Sequence, residues 1–185
     1  MKRALCSLFL LMAFSMKPQM QVAGVNIPLV FKSEESALIL NGAGIREKYF
    51  MDLYVGALYL KVKSKDAQKI MDADESMCMK LHIVSGMITS EKMTSAVDEG
   101  FAKSAKSNLS ALQSRIDQFK AVFAAKINKG DIYDIVYDKS RGTLIYKNGK
   151  LAASLPGLDF KKALFGIWLC NEPADEGLKK KMLGN

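Results

Sequence analysis

Arg46 is the residue whose type and setting most suggest chemistry. It follows Asn41-Gly42-Ala43-Gly44-Ile45 and precedes the most apolar strand-like stretch of the chain. A guanidinium is permanently charged and bidentate, so in a dry pocket it could meet a carboxylate or an enolate better than a lysine could. The plain alternative is a turn arginine beside Glu47 and Lys48. Tyr54 offers a phenol from an apolar wall, or else is an ordinary core tyrosine. Whether the two can act together depends on the chain between them. A two-residue turn at Glu47-Lys48 would send them to opposite faces of a hairpin. An odd loop or a bulge would put them on one face. A single straight strand would leave them on one face but roughly 26 Å apart.

Other groups carry less. The glycine run superficially matches a dinucleotide loop, but Glu47 stands at the third glycine position and no clear helix follows. The glycines are expected instead to serve a bulge or a close backbone approach. His82 is the sole histidine, which excludes a His-rich metal cluster, and a triad unless this one residue serves. Asp98 and Glu99 are adjacent on a helix and diverge. Asp131, Asp134 and Asp138 flank strands without metal-loop spacing. Both groups are expected on solvated faces, and neither a metal nor a cofactor is implied.

The elements that must hold these residues can be read from periodicity. Residues 24–35 read as an irregular lead-in with one short strand, and Ala37 to Leu40 as a compact apolar run ending at Asn41. Tyr49 to Val62 reads as a long strand or strand pair, apolar on both parities and therefore central. Ser64 to Met71 reads as a short helix capped by Ser64, and Met77 to Ile83 as a half-buried strand. Helices follow over Ser90–Ser104 and Leu109–Ala125, the second with Leu112, Ile116, Phe119 and Phe123 on one stripe. Ile132–Tyr137, Thr143–Lys147 and Lys150–Leu155 then alternate as three antiparallel strands, with Asn148-Gly149 the strongest hairpin signal. Helices over Phe160–Leu169, capped by Asp159, and Ala174–Met182 close an α+β chain whose helices gather on one side of an antiparallel sheet.

Residues 1–23 read as a signal peptide, because Lys2 and Arg3 precede a short apolar run from Ala4 to Met16. That run is too short to cross a bilayer core of about 30 Å, and no later stretch is as apolar, so a transmembrane protein is not expected. Cleavage is open between Ala13-Phe14-Ser15 and Gln21-Val22-Ala23. The remaining 24–185 form one domain, expected in the periplasm or outside the cell. Three of the eight net positive charges leave with the leader, and the scattered remainder is no nucleic-acid footprint. Cys78 and Cys170 could pair or stay free.

The run Leu40-Asn41-Gly42-Ala43-Gly44-Ile45-Arg46, with Tyr54-Val55-Gly56-Ala57-Leu58-Tyr59-Leu60, resembles the central strands of chalcone isomerase-like proteins. Thr89-Ser90-Glu91-Lys92 opening a helix and the Phe160–Leu169 helix with Leu164, Ile167 and Trp168 are further points of resemblance, and the closing Pro173 to Lys179 is similar to the bacterial, signal-bearing members. The resemblance implies an open-faced β-sandwich, a large antiparallel sheet covered by helices, with a ligand cleft between them. In the plant enzymes an arginine matching Arg46 stabilises negative charge during closure of a chalcone to a flavanone. Their other catalytic positions are not kept: Tyr54 falls where a threonine would, Thr89 and Ala96 where a tyrosine and an asparagine would, and Gly166 where a threonine or serine would. Arginine with tyrosine is instead similar to the fatty-acid-binding branch, where the pair holds a carboxylate. The resemblance thus implies a non-catalytic binder of a fatty acid or similar apolar carboxylate, gripped by Arg46 and Tyr54. An intramolecular lyase (isomerase) of the chalcone type and an envelope protein-interaction component are the alternatives.

Overall fold

The computed structural model describes residues 19–33 and 37–185, and the apolar run of the expected leader and Ala13-Phe14-Ser15 lie outside them. Two strands, β1 (Gln19–Val22) and β2 (Val25–Pro28), form a hairpin of their own. Seven more make one antiparallel sheet in strictly sequential order: β3 (Val30–Lys32), β4 (Ala37–Lys48), β5 (Met51–Leu60), β6 (Met77–Ile83), β7 (Ile132–Asp138), β8 (Gly142–Lys147) and β9 (Lys150–Leu155). The helices are α1 (Ala67–Asp72), α2 (Ser90–Ala105), α3 (Leu109–Ala121), α4 (Leu158–Leu169) and α5 (Glu176–Met182).

The sheet has a core on each face. On one, Tyr54, Leu58, Met79, Leu81 and Ile135 pack against Phe101, Phe119, Phe160, Leu164 and Trp168 of the helices. On the other, Val55, Ala57, Tyr59 and Cys78 meet Val25 and Ile27 of the small hairpin. The Tyr59 hydroxyl ties the two layers by donating to the Pro28 carbonyl at 3.0 Å. Of the expected lead-in, residues 24–33 hold two strands where one was expected: β2, which with β1 covers the face that an open sandwich would leave bare, and β3, which edges the large sheet. Apolarity on both parities of β5 has this cause.

The glycine run does not end a strand. It continues β4, with Asn41 bulged out between the pairs Leu40–Tyr59 and Gly42–Leu58. The bulge turns Asn41 to bind the Ser64 carbonyl (2.9 Å), the Ser64 N–H (2.8 Å) and the Met182 carbonyl (2.7 Å). Gly42 and Gly44 let α5 lie directly on the sheet, since a Cβ at Gly42 would stand 2.1 Å from the Lys181 carbonyl oxygen. The close-approach reading of these glycines holds.

Several local expectations are corrected. Tyr49 and Phe50 are the β4–β5 turn, not strand, both at positive φ. Asp66, whose carboxylate accepts from the Lys69 N–H, caps α1 in place of Ser64. Gly157 opens α4, while Asp159 sits in its first turn bound to Arg115 at 2.6 and 2.7 Å. Asp131 and Asp138 are buried, because each folds its carboxylate back onto turn N–H groups: Asn128 for the first, Ser140 and Arg141 for the second. Asp134 is only slightly exposed and pairs with Lys80. Asp98 is exposed as expected, paired with Lys120. Cys78 and Cys170 are free, the first in the hairpin-side core and the second after α4 on the helix side. Titrating the unfolded chain with a thiol reagent is expected to count both as free thiols.

Candidate functional site

A second bulge decides the geometry around Arg46. Lys48 pairs with Met51 and Glu47 with Asp52, but Arg46 pairs with Tyr54, leaving Leu53 unmatched. Its carbonyl accepts from the Val84 and Ser85 N–H groups instead. Arg46 and Tyr54 thus become direct cross-strand neighbours on the helix-facing side, the arrangement that brings their side chains closest. The bulged alternative is the one realised.

The side chains meet accordingly. Arg46 Nη1 donates to the Tyr54 hydroxyl oxygen at 3.5 Å, and its guanidinium carbon lies 5.6 Å from that ring's centre. Trp168 Nε1 donates to the same oxygen at 2.8 Å. Two donors occupy the phenol's two lone pairs, so its own proton remains for a third partner. Arg46 Nε is buried with no hydrogen-bond partner among the described residues, a donor left wanting an acceptor. Nothing in the sequence pointed to Trp168 as the group that orients Tyr54. Its being the sole tryptophan was the one available signal.

Arg46 and Tyr54 line one wall of a cavity of about 520 Å³, open to solvent. The β4–β5 hairpin forms that wall with Met51 and Leu53. The opposite wall comes from the loop before α2 and its first turns, with Met87, Ile88, Met93 and Ala96. Thr89, the α2 cap, and Ala96 both reach the cavity, and Glu99, expected on a solvated face, stands on its rim. Gly166 does not; it is pressed against Ser104 of α2, where a Cβ would come within 2.8 Å. Behind Tyr54 and Trp168 the space between sheet and helices closes to about 20 Å³ among Phe119, Phe123 and Ile167, about one water's worth. Among the described residues, the expected cleft is therefore open at its hairpin end and nearly closed behind it. His82 stands apart on β6, where burial lowers its basicity, with the Lys80 charge adding to the effect.

The sequence model of the chalcone isomerase-like family matches residues 19–184. The chain belongs to that family. No curated protein matches it. A crystal structure of a fatty-acid binding protein from Arabidopsis thaliana superposes with a TM-score of 0.69 at 17% identity, over 86% of this chain and 92% of that one. At that identity the likeness establishes a shared fold. The sheet, the helical layer and the sequential strand order are those of a chalcone isomerase-like protein. No helix among the described residues is long and apolar enough to cross a membrane.

Proposed function

We propose that this family member binds, without transforming it, a fatty acid or similar apolar carboxylate at the hairpin end of the sheet. One observation carries the reading. A guanidinium and a phenol, those of Arg46 and Tyr54, stand side by side at the wall of a largely apolar cavity of about 520 Å³. A carboxylate would receive charge-assisted hydrogen bonds from Arg46 and the Tyr54 proton. Met51, Met87 and Met93 would adapt to a chain of variable shape, as thioethers do. The volume is within the usual range for a small-molecule site. The name of the similar plant structure supports the same ligand class.

Ring closure would ask for more groups holding the reacting atoms in register. At the cavity the helix side offers Thr89, whose oxygen already accepts the Lys92 N–H at 3.2 Å, and the exposed side chains of Glu91, Lys92, Ser95 and Glu99.

Arg46→Ala is expected to weaken binding of a fluorescent long-chain fatty acid by roughly 10- to 100-fold, and Tyr54→Phe by less, as charged and neutral hydrogen bonds differ. Mass spectrometry of the denatured native protein is expected to yield a bound lipid. No lipid, together with unchanged affinity in Arg46→Ala, would end this reading. Flavanone formation above the spontaneous rate that depends on Arg46 would establish the isomerase instead.

We further propose export. A strand β1 beginning at Gln19 supports cleavage after Ser15 over cleavage after Ala23, because the later cut would remove β1. Amino-terminal sequencing of the mature protein is expected to start at Met16.

A further inference from the structure

The β4–β5 turn places two aromatic residues where hairpins normally place asparagine and glycine. Tyr49 has φ of 51° and Phe50 of 62°, a left-handed backbone that bulky residues adopt at a cost. The β8–β9 turn, Asn148-Gly149, shows the ordinary choice at φ of 51° and 76°. Burial does not offset the cost, since Tyr49 is 79% exposed and Phe50 fully so. The Lys48 ammonium, 5.7 Å from the centre of the Tyr49 ring, is an exposed contact that offsets little of this cost, so the use of the two rings lies outside the fold. Their position says where. Lys48, Tyr49 and Met51 form one lip of the cavity, and Met87, 51% exposed, belongs to the other. The tip projects beside the mouth through which a ligand would pass.

We propose that Tyr49 and Phe50 insert into the interface of a zwitterionic lipid bilayer and set the cavity mouth against it. The purpose, collecting an apolar ligand from lipid, rests on the binding reading above; the insertion itself does not. Area argues against a protein occupant. A stable protein interface needs about 800 Å² from each partner, which a two-residue tip and one methionine do not supply. Aromatic rings settle at the headgroup level without any such matched surface. Charge selects the kind of bilayer. Arg46, Lys48 and Lys92 are countered at the tip and mouth by Glu47, Asp52, Glu91 and Glu99. No basic patch exists there to seek anionic lipid, so attachment depends little on salt.

The test uses the purified protein and phosphatidylcholine vesicles free of fatty acid, read by co-sedimentation. The wild type is expected to bind in low and high salt alike. The double variant Tyr49→Asn with Phe50→Gly restores the preferred turn, so it is expected to melt at or above the wild-type temperature while losing vesicle affinity at least 10-fold. Arg46→Ala is expected to keep vesicle binding whatever it does to fatty-acid affinity in solution, which separates failure of one reading from failure of the other. Full vesicle binding by the double variant would overturn the proposal. So would a wild type that ignores phosphatidylcholine, or binds only anionic vesicles at low salt. Wild-type self-association that disappears in the double variant would assign the tip to a second copy and overturn it equally.

Discussion

Gly42→Ala is expected to lower the free energy of unfolding by about 3 kcal/mol and to loosen α5 from the sheet. The cause is purely steric, for Gly42 has no positive φ that an alanine would resist. A methyl there would meet the Lys181 carbonyl oxygen at 2.1 Å and the Met182 carbonyl oxygen at 2.8 Å. Both are backbone atoms of one helix end, so relief requires moving α5 as a body. That movement would draw Leu178, Met182 and Leu183 out of the core, where each is nearly inaccessible, and would break the Asn41 bond to the Met182 carbonyl. Gly56→Ala supplies the control. The nearest atoms to its methyl would be those of the Leu178 side chain, at 3.2 to 3.7 Å, which can rotate, so a loss below about 1 kcal/mol is expected. Chemical denaturation gives both values, and hydrogen exchange of residues 176–183 reports the helix directly. Equal losses in the two variants would refute the close-approach account. The site is involved too, because Gly42, Gly44 and Arg46 follow one another along the same face of β4.

Lys161→Met is expected to cost a similar amount, about 3 kcal/mol, by a different route. Lys161 lies on α4 with no exposed surface, and its ammonium donates to the carbonyls of Ile70 (2.9 Å), Met71 (2.9 Å) and Ala73 (2.7 Å). These are the unpaired acceptors at the end of α1. Tyr137 and Phe165 flank the charge at 5.5 and 5.7 Å. Methionine keeps the length of the apolar stem but strands three acceptors, at about 1 kcal/mol each. Burying an ammonium also has a cost that methionine avoids, yet three carbonyls already stand in for its lost water, so the stranded acceptors dominate. Trp168, two turns further along α4, gives a local fluorescence readout.

Titration adds an independent signature. Burial, with a smaller push from Lys162, lowers the Lys161 pKa to about 8, against 10.5 in an unfolded chain. Below about 8 both states hold the proton and pH has no effect through this group. Between about 8 and 10.5 the unfolded state holds a proton that the folded state has released, so Lys161 adds stability as pH rises. The deficit of Lys161→Met is therefore expected to widen between pH 7.5 and 9.5. Burial also raises the Cys78 thiol and lifts Tyr137 to about 12, with the opposite trend. Cys78 is common to the two proteins and cancels in the difference, while Tyr137, which flanks Lys161, contributes only as pH approaches 10 and above, beyond that window. A constant deficit would mean that Lys161 is not depressed.

The amino-acid order alone determined the strands β6 to β9, the helices α2 to α4, and the class of fold. It could do so because alternation at two or 3.6 residues records a boundary between oil and water that each short segment carries by itself. It also singled out Arg46 and Tyr54, though with three possible relations between them. What chose among those relations was Leu53 bulging out of register, held by N–H groups from Val84 and Ser85 some 30 residues on. Trp168 reaches Tyr54 across 114 positions and Asn41 reaches Met182 across 141. No local pattern announces such partners. The glycines of β4 looked like the end of a strand because their reason, the backbone of α5, arrives only when the chain has closed. Tyr49 and Phe50 had the composition of strand residues; their exposure at a turn follows from how β4 and β5 pair. Local periodicity settles which face of an element avoids water. Contacts between distant segments settle which polar groups on that face find one another, and the site is made of those.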